Sequence, residues 1–322
     1  MTHTVETVTE SATLTLGECA YQAIQKHFHK TLKWEPIVKK DEDPEALHQM
    51  RVGLRRLRTS VSGFKLVVNL PKSVSDRIIG KIARNLGELR DFDVLQETLE
   101  TNYQPNLPDT EAKSLQKLLH QLQKHREDAA IKVKETLKGS HYKSLKHDLN
   151  QWLEEPAYQL SASLPIQLVT ADLLSPELSR LLLHPGLLVG TKVADDAKQT
   201  EIEQEITANS EALHSLRKQA KHLRYQMELF VELYDENYST YLAQIKQIQE
   251  ILGNIQDSMV LEAWLVKVFG SQVKAKFPSL THLLASNRYQ FWQEWQIIKQ
   301  NLMQYQTRND LHLLILQPLN SN

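Results

Sequence analysis

The sequence predicts an all-α protein built from two copies of one helical unit. Three observations predict it. Apolar positions recur every three or four residues along most of the chain, which is the helical period. Glycine is scarce, 10 in 322 residues, and no segment alternates as a strand does. Two separate blocks of sequence repeat in a single register.

The first helix is expected near 14–33. Asp43 followed by Pro44 marks the start of a second, near 44–69, because aspartate caps a helix and proline suits its first turn. Pro71 separates it from a third near 72–101, and Pro108 opens a fourth near 108–138. A fifth near 141–155 completes the first unit, 14–155. The stretch 156–190 holds Pro156, Pro165, Pro176 and Pro185. It reads as a connector, with room for one short helix in "LSPELSRLLLHPG". In the second unit, 191–307, helices are expected near 192–207, 210–234, 237–270 and 279–307, with Pro278 opening the last. Residues 308–322 read as a tail.

The repeat has an offset of 166 residues. It sets His48, Arg51, Arg55, Leu57, Arg58 and Phe64 against His214, Arg217, Lys221, Leu223, Arg224 and Phe230. The same offset carries "LGELRDFDV" (86–94) onto "LGNIQDSMV" (252–260) without a gap. Upstream the register fails, where Pro185 and Gly186 face the first helix.

Bulk charge is no guide to function: Lys and Arg total 38 against 39 Asp and Glu, a formal charge of -1. A basic site must come from the arrangement of charge. The single cysteine, Cys19, excludes an intrachain disulfide and suits a reducing compartment. The opening residues "MTHTVETVTESATLTLGE" lack the basic and apolar regions of a signal peptide, and no apolar run approaches the ~18 residues of a membrane span. A cytoplasmic protein is expected.

The arrangement appears in "EALHQMRVGLRRLR" (45–58) and "EALHSLRKQAKHLR" (211–224). At ~100° per residue, His48, Arg51, Arg55 and Arg58 fall in one stripe roughly 80° wide. His214, Arg217, Lys221 and Arg224 do the same. Lys218 and Tyr225 extend the polar face, and Arg56 and His222 lie at its edge. Leu57, Leu223, Phe64 and Phe230 gather on the opposite, core side. Solvated faces usually interleave acids with bases, whereas neither stretch has an acid between its opening glutamate and its last basic residue. Like charges so placed repel, and an anionic partner relieves them. Arginine's planar fork matches phosphate oxygens. Asp43 and Asn209 are read as N-caps, so each stripe starts near a positive helix end. The segment 113–146 has nine Lys and Arg against three acids; Lys117 and Lys124 represent a surface that either widens the basic site or is simply exposed. Gly87 and Gly253 fall inside helices, where close helix crossings would explain them. Asp91 and Asp257 are expected to orient stripe arginines.

These residues admit two other chemistries. A paired Glu-x-x-His is the signature of a di-metal helical bundle, but Arg51 and Arg217 one turn later oppose a dication. No metal site, cofactor or catalytic residue is expected. Single-stranded nucleic acid uses similar charges and adds aromatic platforms; the stripes offer only Tyr225, and Trp292 and Trp295 read as core.

At "HQMRVGLRRLRTSVSGF" with "LGELRDFDV", and again at "HSLRKQAKHLRYQMELF" with "LGNIQDSMV", the chain resembles the CHAD family, the conserved histidine α-helical domain. The resemblance covers roughly 14–307. It implies two four-helix bundles related by a pseudo-two-fold axis, with a central basic pore or groove that binds inorganic polyphosphate. Carried over, His48, Arg51, Arg55, Arg58, His214, Arg217, Lys218, Lys221 and Arg224 become phosphate ligands, with Arg56, His222, Tyr225, Lys117 and Lys124 peripheral. The chain departs from even charge between halves, since Gln256 stands where the first copy has Arg90. The triphosphatase domain that sometimes precedes this family would bring a Glu-x-Glu-x-Lys strand; "EIEQE" (201–205) does not supply it. The resemblance implies a binding protein of the cytoplasm and its polyphosphate granules, with RNA binding as the alternative.

Overall fold

The computed structural model describes residues 14–191, 193 and 197–319; the leaderless reading of the first 13 residues lies outside them. Among the described residues there are helices and two isolated β-bridges, Thr15 with Pro165 and Val68 with Tyr158. The helices are α1 (Leu16–Lys40), α2 (Pro44–Gly63), α3 (Asp76–Thr98), α4 (Asp109–Lys138), α5 (Ser140–Glu154), α6 (Ile166–Leu182), α7 (Gln199–Ala208), α8 (Ser210–Glu228), α9 (Glu236–Phe269), the single turn α10 (Val273–Lys276), α11 (Pro278–Leu302) and α12 (Tyr305–Leu316).

Local chemistry explains most starts. Thr15 caps α1 in a capping box with Glu18. Asp43 accepts a hydrogen bond from the Glu45 amide, and Pro44 occupies the first turn of α2. Asn209 does not cap α8 as expected: its amide donates to the Glu205 carbonyl at 3.0 Å, closing α7 instead.

In the first half α1 packs on α2, α2 on α3 and α3 on α4. In the second, α6 packs on α8, α8 on α9 and α9 on α11. The stretch expected to connect the halves thus supplies α6, a 17-residue helix with Pro176 inside it. Proline in a helix interior costs ~3 kcal/mol, and the burial of Leu174, Leu178, Leu181 and Leu182 offsets it at about 1.5–3 kcal/mol per side chain. Pro36 is likewise tolerated in α1, which runs to Lys40 rather than 33. The expected tail forms α12, whose Leu311 and Ile315 are buried against the core.

One apolar core extends through both halves, from Leu16 to Ile315. A smaller one joins Leu99, Tyr103, Leu115 and Leu118 to Leu261, Leu265, Phe277 and Leu280. Trp292 and Trp295 are core residues, at 2% and 0% exposure. The halves meet near the ends of α2 and α8. There the rings of Phe64 and Phe230 pack edge to face at 6.0 Å, and Arg56 pairs with Glu228 at 2.9 Å.

Candidate anion-binding cavity

With the ends of α2 and α8 held together, their histidine-bearing turns face a shared cavity of about 800 Å³, walled by α3 and α9. His48, Arg51 and Arg55 enter it from α2; His214, Arg217 and Lys221 enter from α8. Arg90 joins them from α3, and Gln256 takes the corresponding place on α9. Arg90, legible in the sequence only as a charge asymmetry with Gln256, lies close enough to His48 to add to the lowering of that ring's pKa by burial.

The helical glycines serve these arginines. A Cβ on Gly87 would collide with Nη1 of Arg51, and one on Gly253 would stand 3.2 Å from Nε and Nη2 of Arg217. What was expected to be two close helix crossings is two guanidinium seats. Arg51 also donates to the Ala83 carbonyl at 3.3 Å. Alanine at both glycines should therefore separate stability from binding. Each replacement favours the helix by ~1 kcal/mol but lifts an arginine off its seat. The expected outcome for Gly87→Ala with Gly253→Ala is a melting temperature equal to or above the parent's, with anion affinity lowered several-fold.

The electrostatics are those of an unneutralised site. Burial, then repulsion from Arg55, Arg217, Arg51 and Arg224, lowers the Lys221 ammonium pKa to about 7. Burial and Arg55 pull down Arg51, whose guanidinium stays charged at neutral pH. His48 and His214 are held below the usual imidazole range, first by burial and then by nearby cations. The Nε groups of Arg51, Arg55 and Arg90 and the Nδ1 of His214 are buried without a hydrogen-bond partner among the described residues.

Three carboxylates share the walls. Glu88 is taken by Lys132 at 3.1 Å. Asp257 approaches Arg217 at 3.4 Å, in keeping with an orienting role, while Asp91 interacts with Arg51 only through space. Poor hydration in the recess pushes both aspartyl carboxyls up, and Asp257 raises Asp91 further.

Several expected ligands are elsewhere. Arg58 is held by a two-pronged pair with Asp76, at 2.6 and 3.0 Å, outside the cavity. Arg224 lies over the Tyr225 ring at 4.5 Å and reaches Glu228 at 3.4 Å; it acts on the site through its charge on Lys221. Lys218 is exposed beside the rim. Tyr225 and Arg56 line a separate pocket of about 410 Å³, and His222 faces Glu177 at 3.4 Å. Lys117 and Lys124 are exposed on α4 away from the cavity lining. Their neighbour Arg126, one of the nine bases counted in that segment, is engaged by Asp41 and Asp93. Glu45 accepts from Gln49 on the surface. Among the described residues no group of three or more His, Cys, Asp or Glu is placed to hold a metal ion. No helix among them is long and apolar enough to cross a membrane.

Comparison with known proteins shows the family and the fold. A family model described as the CHAD domain matches residues 22–266. An uncharacterized protein of Mycobacterium tuberculosis is 26% identical over 250 residues; the match covers 77% of this chain but 45% of that protein's length. The crystal structure of the CHAD domain from the plant Ricinus communis superposes with a TM-score of 0.58 at 23% identity, covering 96% of this chain and 95% of that one. PptA from Streptomyces chartreusis superposes at 0.61 with 13% identity, over 89% and 99% of the two chains. At these identities the two superpositions speak for the shared fold.

Proposed function

The chain belongs to the CHAD domain family, and from that premise we propose that it binds inorganic polyphosphate, without chemistry on the polymer, in the cavity between α2, α3, α8 and α9. One observation carries the reading: five formal cations, Arg51, Arg55, Arg90, Arg217 and Lys221, converge on one recess, where burial, followed by repulsion from Arg55, Arg217 and Arg51, lowers the Lys221 pKa to about 7. A polyanion is the partner that relieves this strain. Polyphosphate presents only anionic oxygens, and these match arginine forks and imidazole N–H groups in search of acceptors. The protein would then act in the cytoplasm, at polyphosphate granules.

Titration with orthophosphate, tripolyphosphate and long chains tests the reading. Affinity should rise with chain length and fall steeply with salt, since each phosphate neutralised releases counterions. Equal affinity for orthophosphate and long chains would refute it.

The pH dependence has a definite sign. Bound phosphate favours the protonated forms of Lys221, His48 and His214, and of the Asp91 and Asp257 carboxyls, whose pKa values are raised. Every one of these protonations makes the cavity more positive. Affinity should therefore strengthen by roughly tenfold or more from about pH 8 to about pH 6, with proton uptake on binding visible as a buffer-dependent heat. Affinity that is flat or falls on acidification would contradict it.

A further inference from the structure

The cavity has two chemically different ends. Around Gly87–Asp91 and Gly253–Asp257 the walls are cationic. Further along the same helices the lining changes to Val94 and Leu95 on α3 and to Val260, Leu261 and Trp264 on α9. Trp264 is half-buried and Val260 is 52% exposed, so apolar and aromatic surface is presented to the open space. Two carboxamides accompany it: Asn102 and Asn287 line the cavity beside Tyr103. From Asp257 to Trp264 the wall descends by ~10 Å at about 1.5 Å per residue.

We propose that the cavity takes a nucleoside polyphosphate, with its phosphates on Arg51, Arg55, Arg217 and Lys221 and its base against Trp264. This deepens the preceding reading and rests on it for the phosphate end. A chain of phosphate alone gains nothing from an aromatic wall. An isoprenoid diphosphate would use the apolar surface but would cover Asn102 and Asn287 without satisfying them, and a covered, unsatisfied amide is costly. A purine or pyrimidine has both a π-face and an edge of donors and acceptors, which matches an indole flanked by asparagines. The volume of about 800 Å³ lies within the ~300–1,000 Å³ typical of small-ligand sites. The substitution of Gln256 for the residue matching Arg90 removes a charge from the wall that carries Trp264 and leaves an amide in its place.

The test compares ATP with tripolyphosphate, which has the same number of phosphates and no nucleoside, alongside long-chain polyphosphate. ATP should bind about tenfold or more tightly than tripolyphosphate, the scale of a single base–aromatic stack, and should quench tryptophan fluorescence. Trp264→Leu, which keeps apolar bulk, should reduce ATP affinity to the tripolyphosphate level and leave both inorganic ligands unchanged. Trp264→Met, which also removes the ring, provides a second variant should the first unfold. If ATP binds no better than tripolyphosphate while long chains bind, the nucleotide inference fails and the polyphosphate reading stands. If ATP binds and neither inorganic chain does, the reverse holds. Tighter binding of farnesyl diphosphate or of an oligoribonucleotide than of ATP would also overturn the inference.

Discussion

Alanine at Arg51, Arg55, Arg217 and Lys221 together will lower affinity for long-chain polyphosphate by at least about a hundredfold, from the ~1.5–3 kcal/mol that hydrogen bonds to charged groups contribute, discounted for solvent at the mouth of the cavity. The folded state should survive the change. All four side chains come from helices whose core faces, Leu54 and Leu57 on α2 and Leu216 and Leu223 on α8, are fully buried on the other side. Removing cations that repel one another should leave the melting temperature unchanged or raise it. The salt dependence of the residual binding should flatten, because fewer counterions are displaced. Binding by filter retention or calorimetry, beside a thermal melt, decides the matter. Retained affinity in a well-folded quadruple variant would remove the cavity as the site.

The second large effect concerns stability. Arg288 on α11 is 4% exposed and reaches Glu203 of α7 at 2.7 Å, Glu262 of α9 at 2.8 Å and the Ser258 hydroxyl at 3.1 Å. It ties three helices together directly behind the cavity wall formed by Ser258 and Asn287. Breaking a buried pair by removing one partner costs about 3–5 kcal/mol, because the remaining charge is left uncompensated. Arg288→Met should lose about this much in denaturant unfolding. The triple variant Arg288→Met, Glu203→Gln, Glu262→Gln should recover most of it, since no charge is then left uncompensated. A loss below about 1 kcal/mol in the single variant would show that the network is decorative.

The helices and the two stripes were legible because both are written in local periods: apolar residues at helical spacing, and bases at three, seven and ten positions after a histidine. What the sequence hid depends on partners remote along the chain. Arg58 has the same spacing as Arg51, but Asp76 follows at the start of the next helix and takes it. Arg126 is claimed by Asp41 and Asp93 from two other elements. Proline misled in the opposite direction: Pro176, counted among the prolines of the connector, suggested a break, and the packing of neighbouring leucines carried α6 through it. Tyr225 was read as part of the polar face because its angle around α8 is near that of the histidine. The ring is buried at 8% exposure, since α2 crosses there and leaves Arg224 to cover it. The aromatic end of the cavity was illegible for a related reason. Val94, Leu95, Val260 and Trp264 follow the helical period as core residues do, and only the packing of the two halves shows that they also border the cavity.

The glycine seats under Arg51 and Arg217 bear on how quickly the protein can capture its ligand. A surface arginine samples many rotamers and must surrender that freedom on docking. Here each guanidinium is already confined against a bare stretch of helix before any anion arrives, so much of that entropic cost falls on folding and little on association. Capture should then proceed near the electrostatically steered limit, with ligands discriminated mainly by how slowly they leave.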